Sequence, residues 1–309
     1  ATPQLIARLQ DEDPEVVRSA ALALGLIGRR ASRADRSLKP LLNDSDAEMR
    51  LAAADALGRI GRNSAASSAA LVALLGNPEP EMRGAAAGAL GRVGEDAAGS
   101  SSALMKLMGD DDPQVRVAAA EALGRIGRPA VPALIASLNG GNPVYLQAAV
   151  EALGHVGEAA VPELIKALED GKRPLLARQH VARALGRIGN EKGKVVPALV
   201  KRLEDESPLI RIAAIEALGI LGSRAGAATA NLIKVIDDRD EEALVREYAI
   251  TAVARVAPAA SEVTARLVEA VADSNAKISE AAVAALVEIR SRVESADGVS
   301  GLIGQLQGG

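Results

Sequence analysis

Residues Asp111–Gly127 read DDPQVRVAAAEALGRIG, and the fold follows from them. Asp112 is placed to accept hydrogen bonds from the free N–H groups of a first helical turn. Pro113 follows at the first helical position, where its missing N–H costs nothing. Val115, Ala118/Ala119, Ala122/Leu123 and Ile126 recur at three- and four-residue spacings, an apolar stripe along one helix face. Gly127 is expected to end the helix in the left-handed conformation. One amphipathic helix of about four turns buries too little to stand alone, so it needs a neighbour.

The chain supplies neighbours at a fixed period. The Leu-Gly pair recurs at Leu24-Gly25, Leu57-Gly58, Leu90-Gly91, Leu123-Gly124, Leu153-Gly154, Leu185-Gly186 and Leu218-Gly219, in steps of 33, 33, 33, 30, 32 and 33 residues. Degenerate copies follow at Val253-Ala254 and Leu286-Val287. A glycine inside a helix costs about 1 kcal/mol relative to alanine. Its repetition implies a packing reason, the absent Cβ letting a neighbouring helix come close.

A chain of 309 residues would otherwise suggest two domains, but a fixed period overrides that prior. The expected architecture is all-α: an α-α superhelix, a single solenoid over 1–294 of about nine helical hairpins. The copies run roughly 1–28, 29–61, 62–94, 95–127, 128–157, 158–189, 190–222, 223–257 and 258–294, with a tail over 295–309. Second helices begin at Asp13-Pro14, Asp46, Glu79-Pro80, Asp112-Pro113, Asn142-Pro143, after Gly171-Lys172-Arg173-Pro174, at Ser207-Pro208, Glu242 and Ala276. First helices of copies two to four cover Leu38–Leu42, Ser67–Leu75 and Ser101–Met108, and the Ala/Ser stretches around Asn63 and Ala97 are turns between copies. Copy eight ends in Ala257-Pro258. In the tail, Val299, Leu302, Ile303 and Leu306 could form a short turn, with the final glycines disordered.

Composition narrows function. There is no Phe, Trp or Cys, and there are two Tyr. Small residues suit stacked helices and suit a deep aromatic pocket poorly. Absent cysteine removes disulfides and thiolate chemistry but suits any compartment. A net charge of −4 argues against nucleic acid as the partner. No run approaches a membrane span, and no signal peptide is visible. The chain begins at Ala1, so a removed leader or further repeats stay open. The compartment is left open, with the cytoplasm preferred, and a monomer is expected.

The consensus D-P-x-V-R-x-x-A-A-x-A-L-G-x-I-G resembles HEAT repeats, and more closely the HEAT-like subfamily first recognised in phycobilisome lyases. The resemblance runs from Thr2 to about Arg290; it is specific for fold and hardly specific for function. It implies a right-handed superhelix whose second helices line the concave surface, with an Asp/Arg ladder joining neighbouring copies. Carried over, the ladder arginines are Arg50, Arg83, Arg116, Arg178, Arg211 and Arg246, and the acids Asp13, Asp46, Glu79, Asp112 and Glu242. Arginine is missing at Val17, Leu146 and Ser279, and the acid at Asn142, Pro174, Ser207 and Asn275. These breaks predict a bend or looser packing near copies five and six.

Two surfaces could bind a partner. Two residues after each repeat leucine stand Leu26, Arg59, Arg92, Arg125, His155, Arg187, Ile220, Arg255 and Glu288, a ridge off the core stripe that could take an acidic peptide or phosphates. Local pairs Asp55–Arg59, Glu121–Arg125 and Glu151–His155 account for three members but not for Arg92, opposite Gly88, or Arg187, opposite Arg183. Copy six adds Lys172, Arg173, Arg178, His180 and Arg183, with Gln179 beside them, as the leading patch for an acidic partner, unless acids of adjacent copies neutralise it. Tyr145 takes a core place, whereas Tyr248, nearer the groove edge, is the better contact. Leu51, Val117 and Ile212 could add apolar patches.

The expected function is a non-catalytic protein-interaction scaffold, binding a protein or acidic peptide along the concave face, with no cofactor and no metal. The alternative is a bilin-lyase-type protein binding a small molecule in the groove, against which the near absence of aromatic residues counts. Deoxyhypusine hydroxylases of the resembled family hold iron through His-Glu pairs, whereas His155 and His180 precede valines. The family's alkylpurine glycosylases need groove aromatics and a basic surface, both poorly matched. No catalytic residue is assigned.

Overall fold

The structure, a computed structural model, describes the backbone of residues 2–61, 65–140, 142–189, 193–257 and 260–307, and their side chains except at 65, 66 and 293–307. Asn63, Pro258, Gly308 and Gly309 lie outside the described residues. The described elements are helical and come in pairs. Copies one to five pair α1 (Thr2–Arg8) with α2 (Pro14–Ile27), α3 (Asp35–Leu38) with α4 (Ala47–Ile60), α5 (Ala65–Leu74) with α6 (Pro80–Val93), α7 (Ser101–Leu107) with α8 (Pro113–Ile126), and α9 (Val131–Ser137) with α10 (Pro143–Val156). Copies six to nine pair α11 (Val161–Glu169) with α12 (Leu175–Ile188), α13 (Val195–Val200) with α14 (Pro208–Leu221), α15 (Thr229–Asp237) with α16 (Ala243–Val256), and α17 (Ser261–Val271) with α18 (Ala276–Gln307). The chain divides into two compact units, Ala1–Glu163 and Leu164–Gly309, with the division inside α11.

Each expected second helix is present at its expected start. The N-cap works as its chemistry requires: Asp112 Oδ1 accepts from the N–H of Gln114 at 2.7 Å and of Val115 at 3.3 Å. Asp13, Asp46 and Asn142 cap their helices in the same way. Replacing Asp112 by Ala is expected to lower stability by about 1 kcal/mol, read as a shifted urea midpoint, with Asn retaining most of the difference.

Gly127 ends α8, but not in the left-handed helical region. Its φ is 79° and its ψ −141°, while its N–H still reaches the Leu123 carbonyl at 3.1 Å. This is extended backbone in mirror image, open essentially to glycine alone, and it sends the chain directly into the short 3-10 turn Arg128–Ala130.

Within the first unit α2, α4, α6, α8 and α10 pack in sequence, and within the second α12, α14, α16 and α18 do so. The repeat leucines Leu57, Leu90, Leu123, Leu185 and Leu218 are fully buried. The glycines after Leu57, Leu90 and Leu185 have the inferred purpose. A Cβ on Gly58 would stand 2.7 Å from Ala89 Cα, and one on Gly91 2.8 Å from Ala122 Cα. In the second unit a Cβ on Gly186 would stand 2.9 Å from Ala217 Cα. Backbones this close leave no room for a side chain.

Two local expectations are corrected. Pro40 lacks an N–H and constrains Lys39, so the first helix of copy two is split into Asp35–Leu38 and a 3-10 segment, Lys39–Asn43. At the C-terminus α18 continues to Gln307 without a break at 294. Val299, Leu302, Ile303 and Leu306 keep the helical spacing of the residues before them, so the period outlasts the repeat.

Candidate functional site

The ladder is present with a different acid from the one expected. Arg50, Arg83, Arg178, Arg211 and Arg246 each do two things. Arg83 donates through Nη1 to the carbonyls of Asn77 and Pro78, both at 3.0 Å, capping the turn within its own copy. Its Nε and Nη2 then grip Asp110 of the next copy at 2.8 and 2.7 Å. Arg178 donates to the Leu168 carbonyl at 3.0 Å and to Asp205 at 2.5 Å. Arg246 donates to the Ile236 carbonyl at 2.9 Å and to Asp273 at 2.8 Å. Arg211 reaches Glu241 at 2.7 Å, and Arg50 reaches Glu79 at 2.5 Å.

Except at Glu79, the ladder acid therefore precedes the helix cap instead of being it. Asp13, Asp46 and Asp112 are occupied as caps. Asp110, Asp205 and Asp273, two residues earlier, also accept the N–H of the capping residue, at 3.0, 3.2 and 2.9 Å. The recurring spacing Asp11/Asp13, Asp44/Asp46 and Asp110/Asp112 was the available signal. It follows that Ser207 and Asn275 are not breaks, because Asp205 and Asp273 do the work. At Ser279 the hydroxyl donates to the Val271 carbonyl at 2.6 Å, replacing the capping half of arginine's role. At Val17 the arginine stands one place on: Arg18 pairs with Glu48 of the next copy.

The break at copy five is of another kind. In the neighbouring pairs of the first unit, the repeat glycine meets the alanine just before the next leucine: Gly25 meets Ala56, Gly58 Ala89 and Gly91 Ala122. Gly124 instead faces His155, whose Cβ lies 2.2 Å from a Cβ built on the glycine. His155 is three residues beyond the corresponding Ala152. The step into copy five is also three residues short, 153 − 123 = 30 against 33, and the connection Arg128–Ala130 replaces the longer Gly94–Ser100. The missing residues thus match an offset of α10 along its axis by three residues, about 4.5 Å. The offset carries Tyr145 out of the core place expected for it. Half-buried, its ring lies against Gly109 and its hydroxyl donates to the Lys106 carbonyl at 3.0 Å.

The basic ridge is exposed but more paired than its spacing suggests. Arg59 donates to Asp55 at 2.7 Å and Arg125 to Glu121 at 3.2 Å, as expected. Arg92 is not left unpaired over Gly88: it reaches back across the copy boundary to the other oxygen of Asp55, at 2.9 Å. Three guanidinium groups in successive copies therefore share two carboxylates. Burial, with the charges of Arg59 and Arg125, makes the Arg92 guanidinium easier to deprotonate, against the pull of Asp55. The expected Glu151–His155 pair does not form; Gln147 takes Glu151 at 2.7 Å, and His155 is exposed. In the second unit Arg255 reaches Glu288 at 3.3 Å, and Arg187 is exposed without an ion-pair partner among the described residues.

The copy-six patch shrinks. Arg178 is 8% exposed and belongs to the ladder, not to a surface. Burial first, and then the charge of Arg183, push the half-buried His180 below the usual histidine pKa, so it is neutral at pH 7 and adds no charge. Arg183 lies 3.5 Å from Glu216, Arg173 lies 3.5 Å from Asp170, and the Gln179 amide donates to the Leu209 carbonyl at 3.4 Å. Lys172 and Arg187 are what this patch offers an incoming acid. Tyr248 is half-buried. Of the apolar candidates Val117 is 47% exposed, while Ile212 is buried. Among the described residues no cluster of His, Cys, Asp and Glu could hold a metal, and no helix is long and apolar enough to cross a membrane.

Comparison with known proteins places this architecture. The chain resembles the CpcE–CpcF complex of phycocyanin lyase from Nostoc sp. PCC7120 at 26% identity and a TM-score of 0.45, over 51% of this chain and 98% of that one. It resembles human deoxyhypusine hydroxylase at 22% identity and a TM-score of 0.39, over 94% and 96% of the two chains. Kap121p aligns over 93% of this chain and 37% of its own length, at 13% identity and a TM-score of 0.53, a likeness of fold. No curated protein matches in sequence. The family model described as HEAT repeats matches residues 2–69, 34–101, 68–154, 101–177, 131–194 and 161–242. With that match running through most of its length, on copies whose helices, caps and glycines are in place, the chain belongs to the HEAT repeat family.

Proposed function

We propose that the chain is a non-catalytic scaffold that holds an acidic segment of a partner protein against the exposed face of its second helices. The carrying observation is the ridge on α4, α6 and α8. Arg59, Arg92 and Arg125 stand one per copy, and Asp55 serves two of them from its two oxygens. Gly88 occupies the place where Asp55 and Glu121 stand in the flanking copies, so the middle copy lacks its own acid. A carboxylate arriving over Gly88 would meet an under-neutralised row and relieve the repulsion at Arg92. The face belongs to helices whose cores are complete without it, so its side chains can serve a partner at no cost to the stack.

The test is fluorescence anisotropy with a labelled decapeptide of alternating Glu and Ala. Wild-type chain should bind it, and affinity should fall as salt rises. Arg92→Ala/Arg125→Ala should weaken binding about ten-fold, near 1.4 kcal/mol. Binding that ignores both salt and the double substitution would overturn the reading.

A further inference from the structure

The offset at copy five leaves one ladder arginine without its acid. Arg116 makes the capping half of the pattern, donating to the carbonyls of Asp110 at 2.7 Å and Asp111 at 3.0 Å. The other half is missing. By position, its acid would be residue 140, which is Gly140. By packing, the three-residue offset brings Pro143 to that place. Three nearby carboxylates are held elsewhere, Asp110 by Arg83, Asp112 by the first turn of α8 and Glu151 by Gln147, and Asp111 meets Arg116 through its carbonyl. In Arg50, Arg83, Arg178, Arg211 and Arg246 the same guanidinium holds a carboxylate at 2.5–2.8 Å. Arg116, half-buried, has none among the described residues.

What stands before Arg116 instead is an open groove of about 420 Å³ between α8 and α10. Val117 and Val144, 47% and 46% exposed, line it together with Pro143, Gln147 and Glu151. The position of Val144 is Glu15, Glu48 and Glu81 in copies one to three and Gln114 in copy four, so packing does not demand an apolar residue there. Thus the groove joins a guanidinium, whose counterparts in other copies hold carboxylates, to an aliphatic wall.

We propose that this groove is a subsite for an Asp or Glu side chain of a partner polypeptide with an aliphatic residue beside it. The carboxylate takes the place on Arg116 that the next copy's acid takes elsewhere in the ladder, and the aliphatic group covers Val117 and Val144. The subsite deepens the scaffold reading above and rests on it for the polypeptide nature of the ligand.

The test follows the Val117 and Val144 methyl signals of the full chain by NMR during titration with acetyl-Asp-Leu-amide, acetyl-Asn-Leu-amide or sodium acetate. The Asp peptide should shift both valines saturably, with affinity at least ten-fold above that of either control. Arg116→Gln should abolish the response. Val144→Glu should abolish the Val117 response, by placing a carboxylate in the groove with Arg116 and its carbonyl bonds intact; glutamate is native at this place in three copies, so that variant folds. Equal responses to the Asn peptide or to acetate, no saturable response to any probe, or an unchanged Val117 response in Val144→Glu would each overturn the proposal. Arg92→Ala/Arg125→Ala should leave this response intact, so failure of the ridge reading and failure of the subsite are read separately.

Discussion

Arg246→Ala is expected to lower the stability of the chain by about 3 kcal/mol, because the pair it breaks is buried and its partner stays behind. The side chains of Arg246 and Asp273 are 8% and 2% exposed. Removing the guanidinium strands the Ile236 carbonyl and leaves Asp273 with Arg239, itself 69% exposed, and with the N–H of Asn275. The loss should appear in urea unfolding, and as faster amide exchange in α18, the helix that Asp273 precedes. The pH dependence has a definite sign. The Asn275 N–H first, and Arg246 second, hold the Asp273 carboxyl below the usual aspartate range. A depressed folded-state pKa gives stability that is present above the unfolded value, near 3.9, and lost as pH falls through the folded one. Arg246→Ala should flatten stability in that acidic window without abolishing the slope, since the Asn275 contact remains.

Substitutions of a helical glycine at a helix contact and of one away from any contact should change stability with opposite signs. Gly58→Val is expected to cost about 3 kcal/mol. Its Cβ would meet Ala89 Cα at 2.7 Å and the Ala89 carbonyl oxygen at 2.9 Å, backbone atoms that move only if α4 and α6 separate. Gly84, inside α6, has nothing within 4 Å of an added Cβ. Gly84→Ala should stabilise the chain by about 0.5–1 kcal/mol, through lower backbone entropy in the unfolded state. Paired urea midpoints check both; a Gly58→Val chain as stable as wild type would remove close helix contact as the reason for the repeat glycine.

The stretch around Asp112 carried a good deal of this without coordinates. A cap, a proline at the first helical position, a stripe at three- and four-residue spacing and a terminal glycine act within about seventeen residues, so they are written locally and can be read locally. Close packing at Gly58 and Gly91 was legible too, because an unfavourable residue repeated at one place in successive copies implies a contact there. The candidate site was legible only as a set of residue types. The ridge arginines stand on an exposed face, as their spacing implies, whereas Arg178 is buried in the ladder and His180 carries no charge at pH 7.

What the tertiary structure alone decided is who meets whom across a copy boundary. Ladder partners such as Arg83–Asp110 stand 27 residues apart, and their identity depends on where two helices come to rest, not on either helix alone. Arg92 finds Asp55 because α4 and α6 lie nearly in contact, a distance that no spacing within α6 records. The same holds at copy five, where three missing residues move α10 by almost one turn and put Pro143 where an acid belongs. Local chemistry sets each helix and its ends; the few ångströms between helices set which charges are spent and which, like that of Arg116, are left to face solvent.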